Sequence, residues 1–564
     1  MRDLISTHRT PRKGKLFEFI NFKDEAVALT KWLISIPSVT TTKGETDIAE
    51  AVWRSLKDTG YFKENPDNLI YVPHQDGVHH SVCALVKCAD ENVSDTVCLL
   101  CHCDTSGNDE YGVLKPFAFK SDELKEKLRS YFKTKSRRQT QLSYDNTVYG
   151  LGSFECKAAA GTLITMVKEV SDNLQDLPFN LLFVCTTQSM NGSTGIRECL
   201  PYLRSLINDH ALDLKLSVTF RPEENQEEDN TLKLYVSNSG LCELGFYVLG
   251  QEADKHHPFQ GFSPAQTAAH IIEKTELSCD FCNVQNETPY VPVLRGLMFP
   301  HRLSDGTQEA AIITFDLPFA RINFAAAIEK MKGIAAQALE ESCLSIENRQ
   351  SLYQSRRHEE FKPRMRDAEV LSYSDLLYRA SRRYRGDLSA DMEKLLERCR
   401  NEHLSEELTI HAVISKLSKL ARLPKPSVVV FLGSNFIPRQ YLRQNNADDR
   451  EIYMSLNRVA DSFNSEHVQQ ILLKEGAPAS DCCFMRPAGT DHAAEILNAE
   501  SPSPAGDFYD FGAPAVTLTY RGQDLNEPTE HVSTEIFDII PSFLLKVFEE
   551  FKSDPKDAQS KIGN

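Results

Sequence analysis

His102 and Asp104 stand two residues apart in "CHCDTSGNDEYGVLKPFAF", directly after the apolar run "TVCLL". An imidazole at the end of a strand, with a carboxylate two residues on to orient its ring, is a pattern that binds zinc. The same two side chains also suit a plain hydrogen-bonded pair at a strand end. Cys101 and Cys103 flank His102, and side chains alternate along a strand, so both thiols face away from the imidazole. Cys279 and Cys282 in "CDFC" form one C-x-x-C with no second pair, which reads as ordinary thiols. The sequence has no G-x-S-x-G elbow and no phosphate-cradling glycine loop.

The segments that must position these residues alternate in character. "DEAVALTKWLISI", "AAAGTLITMVKEV" and "STGIRECLPYLRSLI" have the apolar spacing of helices. "SVCALVKC", "TVCLLCH" and "FNLLFVCTT" read as strands. Alternation of this kind predicts an α/β fold, a mainly parallel mixed sheet flanked by helices. From about Gly245 two strands and two long helices predict a small inserted α+β domain, after which "PSVVVFLG", "APAVTLTY" and "IFDIIPSFLLKVFEEF" resume the α/β pattern. The expected boundaries are an N-terminal extension over 1–21, α/β domain over 22–244 and 346–555, an insert that serves as lid or dimerisation domain over 245–345, and a disordered tail over 556–564.

A length of 564 residues predicts two or three domains, and 41% hydrophobic residues are enough for a large core. The net charge of −17 argues against nucleic-acid and anionic-membrane partners. No apolar run approaches the ~20 residues of a membrane span. The basic start lacks the apolar centre of a secretory signal. The 15 cysteines, an odd number scattered through apolar strands, read as reduced thiols in the cytoplasm.

Five stretches carry a resemblance: "LISIPSVTTTKGETDIAE", "HCDTSGNDEYGVLKPFAF", "YGLGSFECKAAAG", "LGQEADKHHPFQGFSPAQTAAHI" and "GTDHAAEI". In order and spacing they resemble the zinc metallopeptidase family of aminoacylase, succinyl-diaminopimelate desuccinylase and peptidase T, and within it most the bacterial arginine-utilisation branch. The family implies an amide-bond hydrolase with two zinc ions on five ligands and a glutamate general base. Two zinc ions activate a bridging water and polarise the carbonyl, and a free carboxylate moves the proton. Carried over, the first His falls on His102 and its orienting acid on Asp104. The bridging Asp falls on Glu155, one methylene longer. The Glu-Glu pair, base then ligand, falls on Ser189 and Met190. The later acid falls on Arg221 and the final His on Asn526. The insert's substrate-directed His falls on Asp254, and Asp491 matches an acid the family keeps.

On this carry-over the zinc site is dismantled and the resemblance implies a homologue that is inactive or severely impaired. It expects no cofactor, and zinc only on the alternative reading of a working hydrolase of amino-acid metabolism. His102, Glu155, Arg221, Asp254 and Asp491 then form a cleft for a small amino-acid-like ligand, with Arg221 salt-bridged to Glu155 and lowering its pKa. Glu223, Glu224, His256, His257 and His531 are the residues that a register shift would have to bring in to rebuild a metal site. A homodimer through the insert, or a purely structural dimer scaffold, completes the expectations.

Overall fold

The computed structural model describes residues 21–133, 146–174, 177–224, 231–281, 290–300, 307–361, 367–443, 445–487, 490–503 and 508–551. Residues 1–20, the tail over 556–564 and Cys282 of the C-x-x-C lie outside them. The chain forms two compact units, one of residues 1–236, 442–474 and 511–564, the other of 237–441 and 475–510.

The first unit is built on a ten-stranded mixed sheet. Its centre is four mutually parallel strands in the order Asn180–Thr186, Asp95–His102, Asp213–Glu224, Ala515–Gln523. Asn180–Thr186 and Asp95–His102 are near-continuous apolar runs, as strands covered on both faces must be. Antiparallel strands extend the sheet, His80–Val86 and Leu69–Pro73 beyond one side, His531–Ser533 and Thr147–Tyr149 beyond the other. Thr231–Tyr235 branches from Ala515–Gln523 and pairs in parallel with Gln470–Lys474. Helices Phe22–Ile34, Gly44–Lys57, Ala158–Asp172 and Ile536–Glu550 pack their apolar stripes on one face, burying Leu33, Val52, Leu163, Val167 and Phe543 against Val97, Leu99, Val218 and Val516. The parallel strands all end on one side of the sheet, where open α/β folds place their sites.

The second unit carries a five-stranded sheet in the order Val293–Met298, Ala310–Phe319, Gly240–Leu249, Ser427–Leu432, Glu369–Ser372. Two expectations are corrected here. "SVVVFL" belongs to this sheet, paired antiparallel with Gly240–Leu249, and not to the larger domain. The insert therefore runs well past residue 345. Helices Tyr373–Arg383 and Glu406–Ala421 bury Leu376, Ala380, Ile410, Val413 and Leu417 on Tyr247, Ile312 and Val429. The helices Pro264–Thr275 and Phe324–Arg356 cover the other face, on Phe246, Ile313 and Val430. Alternate residues of Gly240–Leu249 thus face two layers, so the strand is apolar but for Glu243.

Candidate functional site

The strand Asp95–His102 ends because the chain leaves the sheet at Cys103, whose N–H still reaches the Thr186 carbonyl at 3.0 Å. The next residues are tied to the loop after the first helix. Thr105 N–H donates to the Ser38 carbonyl and Thr40 N–H to the Thr105 carbonyl, both at 2.9 Å. This lattice fixes Asp104, whose side chain has no solvent exposure. Its carboxylate accepts from His102 Nδ1 at 3.1 Å, from Met190 N–H at 2.9 Å and from Thr40 Oγ1 at 3.2 Å. Burial alone would raise the Asp104 carboxyl. The His102 ring and the Met190 N–H outweigh it and hold the pKa below the ordinary value.

Glu155 stands in a π-type turn, Ser153–Lys157, closed by Lys157 N–H on the Gly152 carbonyl at 2.8 Å. Gly152 enters it at φ 83°. A Cβ there would lie 2.5 Å from Thr105 Cγ2, so only glycine lets the turn close on the His-x-Asp loop. Glu155 accepts from Ser106 N–H at 3.3 Å. The Ser106 hydroxyl donates to Asn526 Oδ1 at 2.6 Å. Burial raises the Glu155 carboxyl, and the nearby His102 opposes that only in part.

Glu530, absent from the sequence expectations, organises this turn. It is fully buried and accepts from the N–H groups of Phe154 at 2.8 Å, Glu155 at 3.1 Å and Asn526 at 3.3 Å. Its own burial, then the Glu155 carboxylate, push its carboxyl up to about 8. Tyr520 donates its hydroxyl to the carbonyls of Phe154 at 2.6 Å and Glu155 at 3.0 Å. The only hint in sequence is an acid directly before the strand-forming "HVS".

A second buried acid, Glu45, pins the loop that carries Ser189 and Met190. It accepts from Gln188 N–H and Thr41 N–H, both at 2.6 Å. Burial, then the Asp104 charge, raise it to about 7. Gln188 takes the left-handed region at φ 54°, and its Nε2 meets His79 Nδ1 at 2.8 Å.

The structure thus places His102, Asp104 and the Met190 backbone in one hydrogen-bonded group, and Glu155, Ser106 and Asn526 in a second that adjoins it through the chain from Asp104 to Ser106. It does not join Arg221 to Glu155. Arg221 leaves Asp213–Glu224 two residues beyond the Thr219–Leu100 pair, at the level of His102 on the neighbouring strand. No ion pair or hydrogen bond connects it to Glu155, and the groups that bear on its charge are Tyr235 and Glu223. The expected salt bridge and lowered Glu155 pKa are both corrected, because burial dominates once no cation pairs with the carboxylate. The Met190 side chain is 48% exposed, and the Ser189 carbonyl serves only to accept from Ser193 N–H at 3.0 Å.

The candidate rescue residues are committed elsewhere. His531 stacks on Tyr149 at 4.8 Å and bonds the Thr529 carbonyl through Nδ1 at 2.8 Å. Glu223 pairs with Lys233, and Glu224 accepts from Leu525 N–H at 3.3 Å. Asp254 belongs to the second unit, where its side chain and carbonyl accept from His256 N–H at 2.7 Å and His257 N–H at 2.9 Å. Asp491 lies in the helix Thr490–Glu500 of that unit, and its side chain is outside the described part. Among the described residues no group of three or more His, Cys, Asp or Glu is placed to hold a metal ion.

The fold is similar to that of two dipeptidases of known structure. Human carnosine dipeptidase 1 matches with a TM-score of 0.51 at 12% identity, over 94% of this chain and 96% of that one. The Saccharomyces cerevisiae dipeptidase Dug1p matches with a TM-score of 0.50 at 10% identity, over 95% and 97%. The chain is, more particularly, a homologue of the Bacillus subtilis protein RocB, 23% identical over 544 residues that cover 93% of this chain and 94% of RocB. It is also similar to the uncharacterized Bacillus subtilis protein YqjN, 27% identical over 445 residues, 78% of each chain. No family model matches the sequence.

Proposed function

We propose that this chain is a RocB-like homologue in which two-zinc amide hydrolysis is lost or severely impaired, and that the remaining site binds a small amino-acid-like ligand. Asn526 carries this reading. Where the family resemblance implies a zinc-binding imidazole, a neutral amide is held by Ser106 at 2.6 Å, and its own N–H is held by Glu530. The donor set does not fit two zinc ions. Met190 is a thioether turned to solvent, and Arg221 brings a fixed positive charge where an acid would offset the metal.

His102, half-buried, and the buried Glu155 remain to meet a ligand's polar groups. Thermal unfolding with L-amino acids, arginine included, tests this. A binder at one hundred times its Kd stabilises by about 2.7 kcal/mol. An upward shift of Tm that disappears in His102→Ala supports the ligand reading. No shift with any amino acid, together with a stable dimer in light scattering, supports the scaffold reading instead. That second reading has its own observation. The edge strand Val293–Met298 exposes Val293, Leu294 and Leu297, an apolar edge that a second copy would cover.

The cytoplasm is the compartment we propose, since no disulfide joins cysteines among the described residues. No helix among them is long and apolar enough to cross a membrane.

A further inference from the structure

Helices Phe22–Ile34, Gly44–Lys57 and Ala158–Asp172 leave a groove of about 470 Å³ on the first unit. Leu29, Trp32 and Ala51 give it an apolar lining, and Asp47, Glu50 and Asp58 an acidic one. Trp32 is 42% exposed, although the helix that bears it is otherwise well packed. Arg54 is occupied by Glu50 one helical turn away. Lys168 then faces Asp58, with Glu25 and Asp172 adding negative charge beside it, while Asp47 lines the groove as well. The surface therefore combines an uncovered indole with surplus acid.

The chain that enters the first of these helices has the opposite character. Residues 1–20 contain Arg2, Arg9, Arg12, Lys13 and Lys15 against Asp3 and Glu18, a net +3 on a chain of net −17. Leu4-Ile5 and Leu16-Phe17 bracket the basic stretch. Asn21 takes the left-handed region at φ 63°, which a continuing α-helix does not allow, so the helix begins at Phe22. From Asn21 to Trp32 is about 16 Å along the helix, while 20 extended residues reach about 66 Å. Tethering also holds the segment at high effective concentration over the groove, which a separate partner would lack.

We propose that residues 1–20 dock in this groove of the same chain, basic side chains over its acids and an apolar pair against Trp32. The chain has two tryptophans, and Trp53→Phe leaves Trp32 as sole reporter. The experiment compares Trp32 emission and acrylamide quenching in three such proteins: the full chain, a chain starting at Asn21, and a full chain with Arg9→Glu, Arg12→Glu, Lys13→Glu and Lys15→Glu. The shortened and charge-reversed proteins should both show a red-shifted, more strongly quenched Trp32. Adding a synthetic peptide of residues 1–20 to the shortened chain should reverse the shift, and the charge-reversed peptide should not. The charge-reversed full chain decides the matter if the shortened one fails to fold. Equal emission and quenching in full and charge-reversed chains would overturn the proposal. So would a Trp32 shift that varies with protein concentration, because a second copy would then be the occupant.

Discussion

Glu530→Ala should lower the unfolding free energy of the first unit by about 2–6 kcal/mol, because it strands two buried N–H groups at about 1–3 kcal/mol each and a third that is part-buried. Those donors are the N–H groups of Phe154, Glu155 and Asn526. They come from two segments more than 370 residues apart in sequence, so one carboxyl closes the site turn onto the loop after Ala515–Gln523. Glu530→Gln keeps a carbonyl oxygen of similar reach and should cost less than half as much. Urea unfolding of both variants checks this. A loss below about 1 kcal/mol for the alanine variant, the scale of an ordinary exposed hydrogen bond, would show that the turn holds itself.

Glu45→Ala should cost a similar amount, about 2–5 kcal/mol, since it orphans Gln188 N–H and Thr41 N–H and removes a partner of the buried His79. Glu45 also sets a pH dependence whose sign is fixed. Its carboxyl binds a proton more tightly folded, at about 7, than its ordinary 4.5. Its contribution is therefore complete below pH 4.5 and is lost as pH rises through 7. The loss is about 1–2 kcal/mol once screening by nearby water reduces the full effect. Glu45→Gln should flatten the stability profile across that window. An unchanged slope between pH 4.5 and 7 would show that Glu45 is not the group that titrates there.

The central parallel sheet was legible in sequence because "TVCLL", "NLLFVCT" and "APAVTLTY" are short apolar runs set between helical periodicities. The limits of the second unit were not. "SVVVFL" is buried on both faces, and a continuous apolar strand reads alike in whichever sheet it joins. The helices over 373–421 read as charged helices of the larger domain, and only their packing reveals that they cover the second face of this sheet. At the site, His102 and Asp104 follow from the His-x-Asp pattern, and Glu155 from the family resemblance. Glu530 does not, because burial turns an ordinary loop acid into an acceptor for three N–H groups. The Arg221–Glu155 pair failed for a related reason. The resemblance set Arg221 at a ligand position beside Glu155, but a long flexible side chain chooses its neighbours locally, and here they are Tyr235 and Glu223.

Elemental analysis of the mildly purified full chain, dialysed against buffer with micromolar zinc, tests most directly whether the two-zinc site is gone. Well below one zinc per chain is the predicted result. The variant Met190→Glu, Arg221→Glu, Asn526→His, which returns the family's ligand types, should bind more zinc than the natural chain in the same dialysis. One or two zinc ions per natural chain, lost in His102→Ala, would contradict the proposal and identify a working metal site built on the residues that remain.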